Sequence, residues 1–353
     1  MKNKIYILHD FNGKPYYKAL EKNTNIVYLN TRPFRFLIRD IIKYKTIQDE
    51  TIESLKFFLK LPFHKDKVIM IAMAPFNYRM IIYSLLFKKN TMYYHTSWPY
   101  WINKNIPFSY GNIINKLLKY LWKYYLLKFD KIIAVTKASK KELEIFISHK
   151  NIKQIYHTVD IKTIDDKLMT NKNKNKIINI CFIGRLTEEK GIYNILRLIE
   201  EYSQNPNVKF HIIGDGILKD KFDKNNFSNL SFYGYVSSRT EVRNILEKSD
   251  IFILPSLRTK IWEELFGIVV IEAMSQGNVV ISTNHIGPTE IITHNENGFL
   301  FTESEYDKKI ILIINKVIED KNFIYKHAIS AINKSRQFSI KKISNDWSDV
   351  LEN

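Results

Sequence analysis

Trp262-Glu263-Glu264-Leu265-Phe266-Gly267-Ile268-Val269-Val270-Ile271-Glu272-Ala273-Met274 sets two carboxylates, Glu264 and Glu272, on either side of seven residues. Between them a Phe-Gly step leads into an apolar run that reads as the start of a buried helix. Gly267 lets the backbone come close to a ligand. The free N–H groups at a helix start suit phosphate. A carboxylate just ahead of the helix repels phosphate, so Glu264 suits hydroxyl donors instead. A ligand with both hydroxyls and phosphate, such as a nucleotide sugar, meets both demands. An ordinary amphipathic helix carrying two glutamates would look the same in isolation, so the neighbouring segments must decide.

Working outward, short apolar runs recur at residues 177–184, 208–214, 230–234, 250–255 and 278–283, with helical patterns between several of them. The first half repeats the theme at 4–8, 25–29, 67–74, 91–95 and 131–136. This alternation predicts parallel sheets with crossover helices, two of them in series over 353 residues. The polar stretch 170–176 reads as the linker, and SIKKISNDWSDVLEN at the end as a terminal helix. Directly after the strand at 177–184 comes Gly184-Arg185-Leu186-Thr187-Glu188-Glu189-Lys190-Gly191. Ligands of open parallel sheets bind beyond the carboxyl ends of strands. Arg185 and Lys190 would there supply a planar donor fork and a point charge, a pair suited to a diphosphate. Gly214-Asp215-Gly216 also follows a strand and offers close backbone approach.

The chain is 45% hydrophobic and 25% charged, which fits a soluble globular protein. One cysteine, Cys181, excludes an internal disulfide framework and a cysteine metal cluster, and its apolar surroundings mark it as a core residue. The N-terminal apolar core is too short for a signal peptide, and no apolar run is long enough to span a bilayer, so any membrane role is expected to be peripheral. The net charge of +18 is uneven: residues 1–160 hold 28 Lys and Arg against 11 Asp and Glu, whereas 161–353 hold 26 against 25. A polyanion is expected to meet the first half. Residues 32–45 mix Arg and Lys with Phe, Leu and Ile and suit an anionic membrane surface. In residues 113–128, Ile114, Leu117, Leu118, Leu121, Trp122 and Tyr125 follow helical spacing, which predicts a sheet-packing helix with a solvated basic face.

The order GRLTEEKG, IIGDG, FYGYV, ILPS, EELFGIVVIEAM, GNVVIS, NENGFLF over residues 177–301 resembles the donor-binding domain of glycosyltransferase family 4, a retaining group with the GT-B fold. The first half resembles it less closely. AVTKASKKEL (134–143) is similar to the segment after the last strand of the acceptor domain. IYHTVD (155–160) stands where I-P-N-G-V-D is usual, and the usual glycine-rich loop after the first strand is reduced to Asp10-Phe11-Asn12-Gly13. The resemblance implies an α/β protein with two Rossmann-like domains facing across a cleft: an acceptor domain at 1–168, a donor domain at 177–336, and a terminal helix at 337–353 crossing back to the first. It implies that Arg185 and Lys190 neutralise the diphosphate, that Glu264 contacts donor-sugar hydroxyls, and that Glu272 holds the ribose. Backbone N–H groups of Phe266, Gly267 and Ile268 would face sugar and phosphate, and Tyr235 and Val236 the base. Gly13, Gly184, Gly214 and Gly216 would line the donor site, and His95 would reach the donor sugar.

The resemblance further implies a retaining transfer from a nucleoside-diphosphate sugar, the co-substrate, to a glycan or lipid-linked acceptor in surface polysaccharide biosynthesis. Front-face attack with help from the diphosphate would supply the retention. No cofactor is implied, and no DxD metal motif stands in a loop. The expected place is the cytoplasm, on the inner face of the membrane. Two rivals share some of these features. One is a nucleotide-sugar epimerase of the same architecture. The other is a basic nucleic-acid-binding protein, for which no recognisable motif is present, so no nucleic-acid partner is expected.

Overall fold

The computed structural model describes residues 4–10, 14–102, 110–148, 151–165, 169, 172, 175–223, 227–260 and 262–352. The chain forms two compact units, Met1–Thr158 with Ile340–Asn353, and Val159–Ser339.

The first unit runs β1 (Lys4–His9), α1 (Lys18–Glu21), β2 (Asn25–Asn30), α2 (Pro33–Arg39), α3 (Asp49–Leu59), β3 (Val68–Ala72), α4 (Tyr78–Leu86), β4 (Thr91–Thr96), α5 (Asn112–Leu126), β5 (Lys131–Ala134), α6 (Lys137–Phe146) and β6 (Ile152–Gln154). Its six strands are parallel in the order β2-β1-β3-β4-β5-β6. Alternation along the strands feeds two cores. Leu8, Ile69, Ile71, Met92 and Tyr94 join Phe57, Met80, Trp122 and Leu143 of α3, α4, α5 and α6 on one face. Ile5, Ile7, Met70 and Tyr93 join Leu20 of α1 on the other.

The second unit runs β7 (Ile178–Ile183), α7 (Ile192–Glu201), β8 (Val208–Ile213), α8 (Asp220–Asp223), β9 (Leu230–Gly234), α9 (Arg239–Lys248), β10 (Ile251–Leu254), α10 (Ile268–Ser275), β11 (Val279–Thr283), α11 (Ile286–Ile291), β12 (Gly298–Phe301), α12 (Glu303–Glu319) and α13 (Asn322–Ser335). Its sheet is also parallel, in the order β12-β11-β10-β7-β8-β9. The strand order reverses between β7 and β10, and ligands of open parallel sheets bind at the carboxyl ends of the strands at such a switch point. Every residue of β10 and β11 is buried, as in a sheet covered by helices on both faces.

The last helix, α14 (Ile340–Glu352), belongs to the first unit and buries Ile343, Trp347 and Val350. Asn23 holds it from the far end of α1, donating 2.6 Å to the Ser344 carbonyl.

The boundary lies at Thr158–Val159, ahead of the sequence boundary at 168. The reason is bonding: Val159 pairs with Ser339, and the Ile164 amide donates 3.0 Å to the Ser275 carbonyl, both within the second unit. The stretch read as a linker is anchored there too. Lys172 donates 2.8 Å to the Gln276 carbonyl. Lys321 donates to the carbonyls of Lys172, Asn175 and Ile177 and pairs with Asp250 at 2.8 Å. Helix α5 also departs from expectation. Its buried side chains are Leu118, Trp122 and Leu126, whereas Ile114 and Leu117 of the expected stripe are exposed.

Candidate active site in the second unit

Three loops at the carboxyl ends of β7, β8 and β9 are stitched to one another. Gly184 N–H donates 3.0 Å to the Ile213 carbonyl, Leu186 N–H 2.9 Å to Asp215, and Gly214 N–H 2.8 Å to Gly234. A Cβ on Gly214 would sit 1.9 Å from the Gly184 oxygen, and one on Gly216 2.6 Å from the Leu186 oxygen. Gly214 and Gly216 are therefore required by loop-on-loop packing, before any ligand is considered. Gly191 does the same job across the switch point. Its φ is +70°, and a Cβ there would lie 2.0 Å from the Pro255 oxygen. The loop after β7 is thereby pressed against the loop after β10, and the Leu257 N–H donates 2.9 Å to the Glu189 carbonyl.

This seam brings Lys190 and Glu264 together. Their side chains form a mostly buried ion pair, and the Lys190 ammonium also lies 4.8 Å from the centre of the Trp262 ring. Arg185 stands further out, exposed and 3.5 Å from Glu189. Each of the two predicted phosphate cations thus faces a carboxylate. Gly267, with φ +88°, opens α10; the Val270 N–H bonds the Gly267 carbonyl at 3.0 Å, whereas the Ile268 N–H, at the very start, has no acceptor a turn earlier in the helix. Phe266 is buried just before it.

Glu272 lies on the same helix, one Oε1 at 2.6 Å from Arg239. Its Oε2 is buried and has no hydrogen-bond partner. Burial raises its carboxyl above the ordinary range against the pull of Arg239 and Arg243. Buried polar atoms are normally satisfied, so this carboxylate oxygen is open to a donor group. Tyr235 stands exposed after β9 with Val236 half-buried beside it.

A family profile described as Glycosyl transferases group 1 matches residues 160–338, just over half the chain and all within the second unit. The chain belongs to this family. An uncharacterised glycosyltransferase of Methanocaldococcus jannaschii is 27% identical over 91% of this chain and 84% of that protein. A UDP-Gal:alpha-D-GlcNAc-diphosphoundecaprenol alpha-1,3-galactosyltransferase of Escherichia coli is 28% identical over 50% of this chain and 48% of that protein, so the match spans about half of each. Among solved structures, Anabaena HepE in complex with UDP superposes with a TM-score of 0.69 at 17% identity, covering 99% of both chains, and the shared fold is that of the GT-B glycosyltransferases.

In this glycosyltransferase the remaining site residues fall elsewhere. His95 sits near the end of β4 in the first unit, buried, its Nδ1 2.9 Å from the Tyr17 hydroxyl and its ring 5.7 Å from His157 and 6.2 Å from Trp347. Burial pushes its pKa down to about 4, so the ring is neutral at ordinary pH. Gly13 lies outside the described residues. The switch point of the first sheet, between β1 and β3, is occupied by a satisfied network. There Arg79 donates to both Asp10 carboxylate oxygens, at 2.7 and 2.6 Å, and to the Thr31 hydroxyl.

The structure also adds four residues that sequence patterns do not single out. Arg258 donates 3.0 Å to Glu263 and 3.2 Å to Glu303. The same Glu263 oxygen accepts 3.0 Å from the Ile286 N–H. The Glu264 N–H donates 3.1 Å to Nδ1 of His285, and its carbonyl accepts 2.8 Å from the Gly287 N–H. With Nδ1 accepting, the neutral ring carries its proton on Nε2, which lies 3.3 Å from Glu303. Burial, helped by the charge of Arg258, pushes the His285 pKa down to about 4. The backbone on both sides of the Glu264 carboxylate is therefore clamped by α11 and the loop before it. The adjacent glutamate is the sole signal in sequence. Arg258, His285 and Glu303 come from separate segments with no shared spacing.

Proposed function

We propose that the protein is a retaining glycosyltransferase of the family 4 type that moves a hexosyl or related unit from a nucleoside-diphosphate sugar to a lipid-linked glycan in surface polysaccharide biosynthesis. The observation that carries this reading is the pairing of complementary, half-satisfied groups at one switch point. The Lys190 and Glu264 side chains neutralise each other, and the Glu272 Oε2 has no partner. A nucleotide sugar would satisfy all three. Its diphosphate would draw Lys190, with Arg185 closing from outside. Its sugar hydroxyls would donate to the Glu264 carboxylate so released, and its ribose to Glu272. Gly267 and Ile268 would offer N–H groups to sugar and phosphate beside Phe266, and Tyr235 and Val236 would border the base.

Breaking the bond between the anomeric carbon and the phosphate oxygen leaves negative charge on the diphosphate. Cations and N–H dipoles already fixed around it lower the barrier. As the bond from the anomeric carbon to the diphosphate oxygen breaks, the acceptor oxygen bonds the same face of that carbon and its proton passes to the departing diphosphate oxygen. The reaction proceeds without a bound metal, and chelator should leave the rate unchanged. His95 would touch the donor sugar through its neutral ring. The acceptor falls to the first unit, whose excess of positive charge suits an anionic membrane at the cytoplasmic face, with residues 32–45 among the contacts. The E. coli relative, whose name gives a diphosphoundecaprenol-linked acceptor, supports that class of substrate.

Calorimetry with UDP and GDP, beside transfer assays with a panel of nucleotide sugars, tests the assignment. Glu272→Ala should weaken binding of the free nucleotide about tenfold or more. Glu264→Ala should leave nucleotide binding near wild type and reduce transfer on the order of 10²-fold. Equal losses of nucleotide affinity in both variants would refute the division of roles.

A further inference from the structure

From Lys67 to Phe129 the chain runs 63 residues without one Asp or Glu, while holding nine Lys and Arg. The run supplies β3, α4, β4 and α5. Helix α5 buries Leu118, Trp122 and Leu126 against the sheet. At 100° per residue these lie within one narrow stripe. Ile113, Leu117, Tyr120, Tyr124 and Leu127 fall on a second stripe diametrically opposite, and all five are exposed, Ile113 at 86% and Tyr120 at 72%. Lys116, Lys119 and Lys123 flank this outer stripe on one side and Lys128 on the other. Lys128 lies over the rings of Tyr124 and Tyr125, at 4.3 and 4.8 Å. Helix α4, which packs beside α5, repeats the arrangement: Met80, Tyr83 and Phe87 point inward, and Tyr78, Ile82 and Leu85 are exposed on the opposite side.

A helix that is apolar on two opposed faces has two things to cover it. One is the sheet. We infer that the other is an anionic lipid surface, against which α4 and α5 lie flat with their outer stripes in the headgroup–acyl boundary. This deepens, and rests on, the membrane contact in the function proposed above, and it adds α4–α5 to residues 32–45 as the surface that makes it. The charge pattern selects the occupant. Tyrosine rings and lysines whose stems lie along apolar surface suit a membrane interface. A second copy docked by the same face would set lysines against lysines with no carboxylate between them. No helix of the described residues is long and apolar enough to cross the bilayer, so the contact is one of lying on the surface.

Flotation of the full chain with vesicles of phosphatidylcholine alone, or of equal parts phosphatidylcholine and phosphatidylglycerol, tests the inference. The wild type should float with the anionic vesicles and far less with neutral ones. Ile113→Ser with Leu117→Ser and Tyr120→Ser should lower the bound fraction by about tenfold or more even at low salt, with Tm and UDP affinity unchanged, because the side chains are already in water. Lys116→Gln with Lys123→Gln and Lys128→Gln should leave binding that no longer depends on anionic lipid. Vesicle binding by the serine variant equal to wild type would overturn the proposal, as would a wild-type dimer that the serine variant converts to monomer. A wild type that binds UDP but no vesicle would sink this inference alone. One that binds vesicles but no nucleoside diphosphate would sink the glycosyltransferase reading and leave the surface standing.

Discussion

The two units are built on the same plan, a six-stranded parallel sheet covered by helices, yet their outsides and their switch points are opposites. Among the described residues, twenty-one large hydrophobic side chains are exposed on the first unit and six on the second. The first unit carries most of the positive charge and the second is nearly neutral. At the switch points the contrast reverses. Among the described residues, the first holds the mutually bonded Asp10–Arg79–Thr31 network, whereas the second leaves the Glu272 Oε2 unpaired and sets Lys190 against Glu264. One sheet architecture can thus be finished as a surface or as a site. The strand order places an opening, and the side chains decide whether it is filled from within.

The largest expected effect sharpens this contrast from the side of the chemistry. Lys190→Ala should reduce kcat on the order of 10²-fold, by analogy with loss of one preorganised transition-state donor, and should leave vesicle flotation untouched. Arg185→Ala, at an exposed position, should cost less. Loss of flotation together with turnover would mean that the two units do not divide the work.

Next comes a pH test that bears on the interior of the first unit. The folded pKa of His95 is about 4, below its ordinary unfolded value, so the unfolded chain takes up the proton first as pH falls. Its stabilising contribution is complete above about pH 6.5 and is lost between there and pH 4, up to about 3 kcal/mol. His95→Phe should flatten the fall of Tm with acid. An unchanged slope would show that His95 is not the group responsible. His285 has the same sign in the second unit, so the variant should spare one unit only.

A smaller effect probes the clamp behind Glu264. His285→Asn keeps an acceptor at the δ position for the Glu264 N–H, and His285→Leu keeps the volume without it. The leucine variant should lose about tenfold in kcat with UDP affinity unchanged, and the asparagine variant should recover most of that loss. Equal kcat in the two variants would reduce His285 to packing. Smallest of all should be Arg32→Ser with Arg35→Ser and Arg39→Ser, expected to lower recovery on anionic vesicles about threefold and only at low salt. A larger loss than that of the α5 serine variant would move the membrane face to α2.

Sequence alone was enough for the architecture. Apolar β-branched runs such as NVVIST and DIFILP are legible because parallel strands buried on both faces need apolar side chains throughout. The short edge strands β6 and β12 were not read as strands, since three or four residues carry too little pattern. The segments that carry Lys190, Glu264 and Glu272 stand out in the sequence because one directly follows a strand and the other leads into and through a helix. Three things needed the fold. A glycine shows that something comes close but not what, and at Gly214 and Gly216 it is a neighbouring loop's backbone. The Arg258–Glu263–His285–Glu303 clamp joins residues up to 45 positions apart. Such contacts leave no period, because loop closure and not spacing brings them together. Helical periodicity marks an apolar stripe on α5 but cannot say which stripe meets the sheet. The crossover from β4 to β5 decided that, turning Trp122 inward and leaving Ile113 and Tyr120 outside.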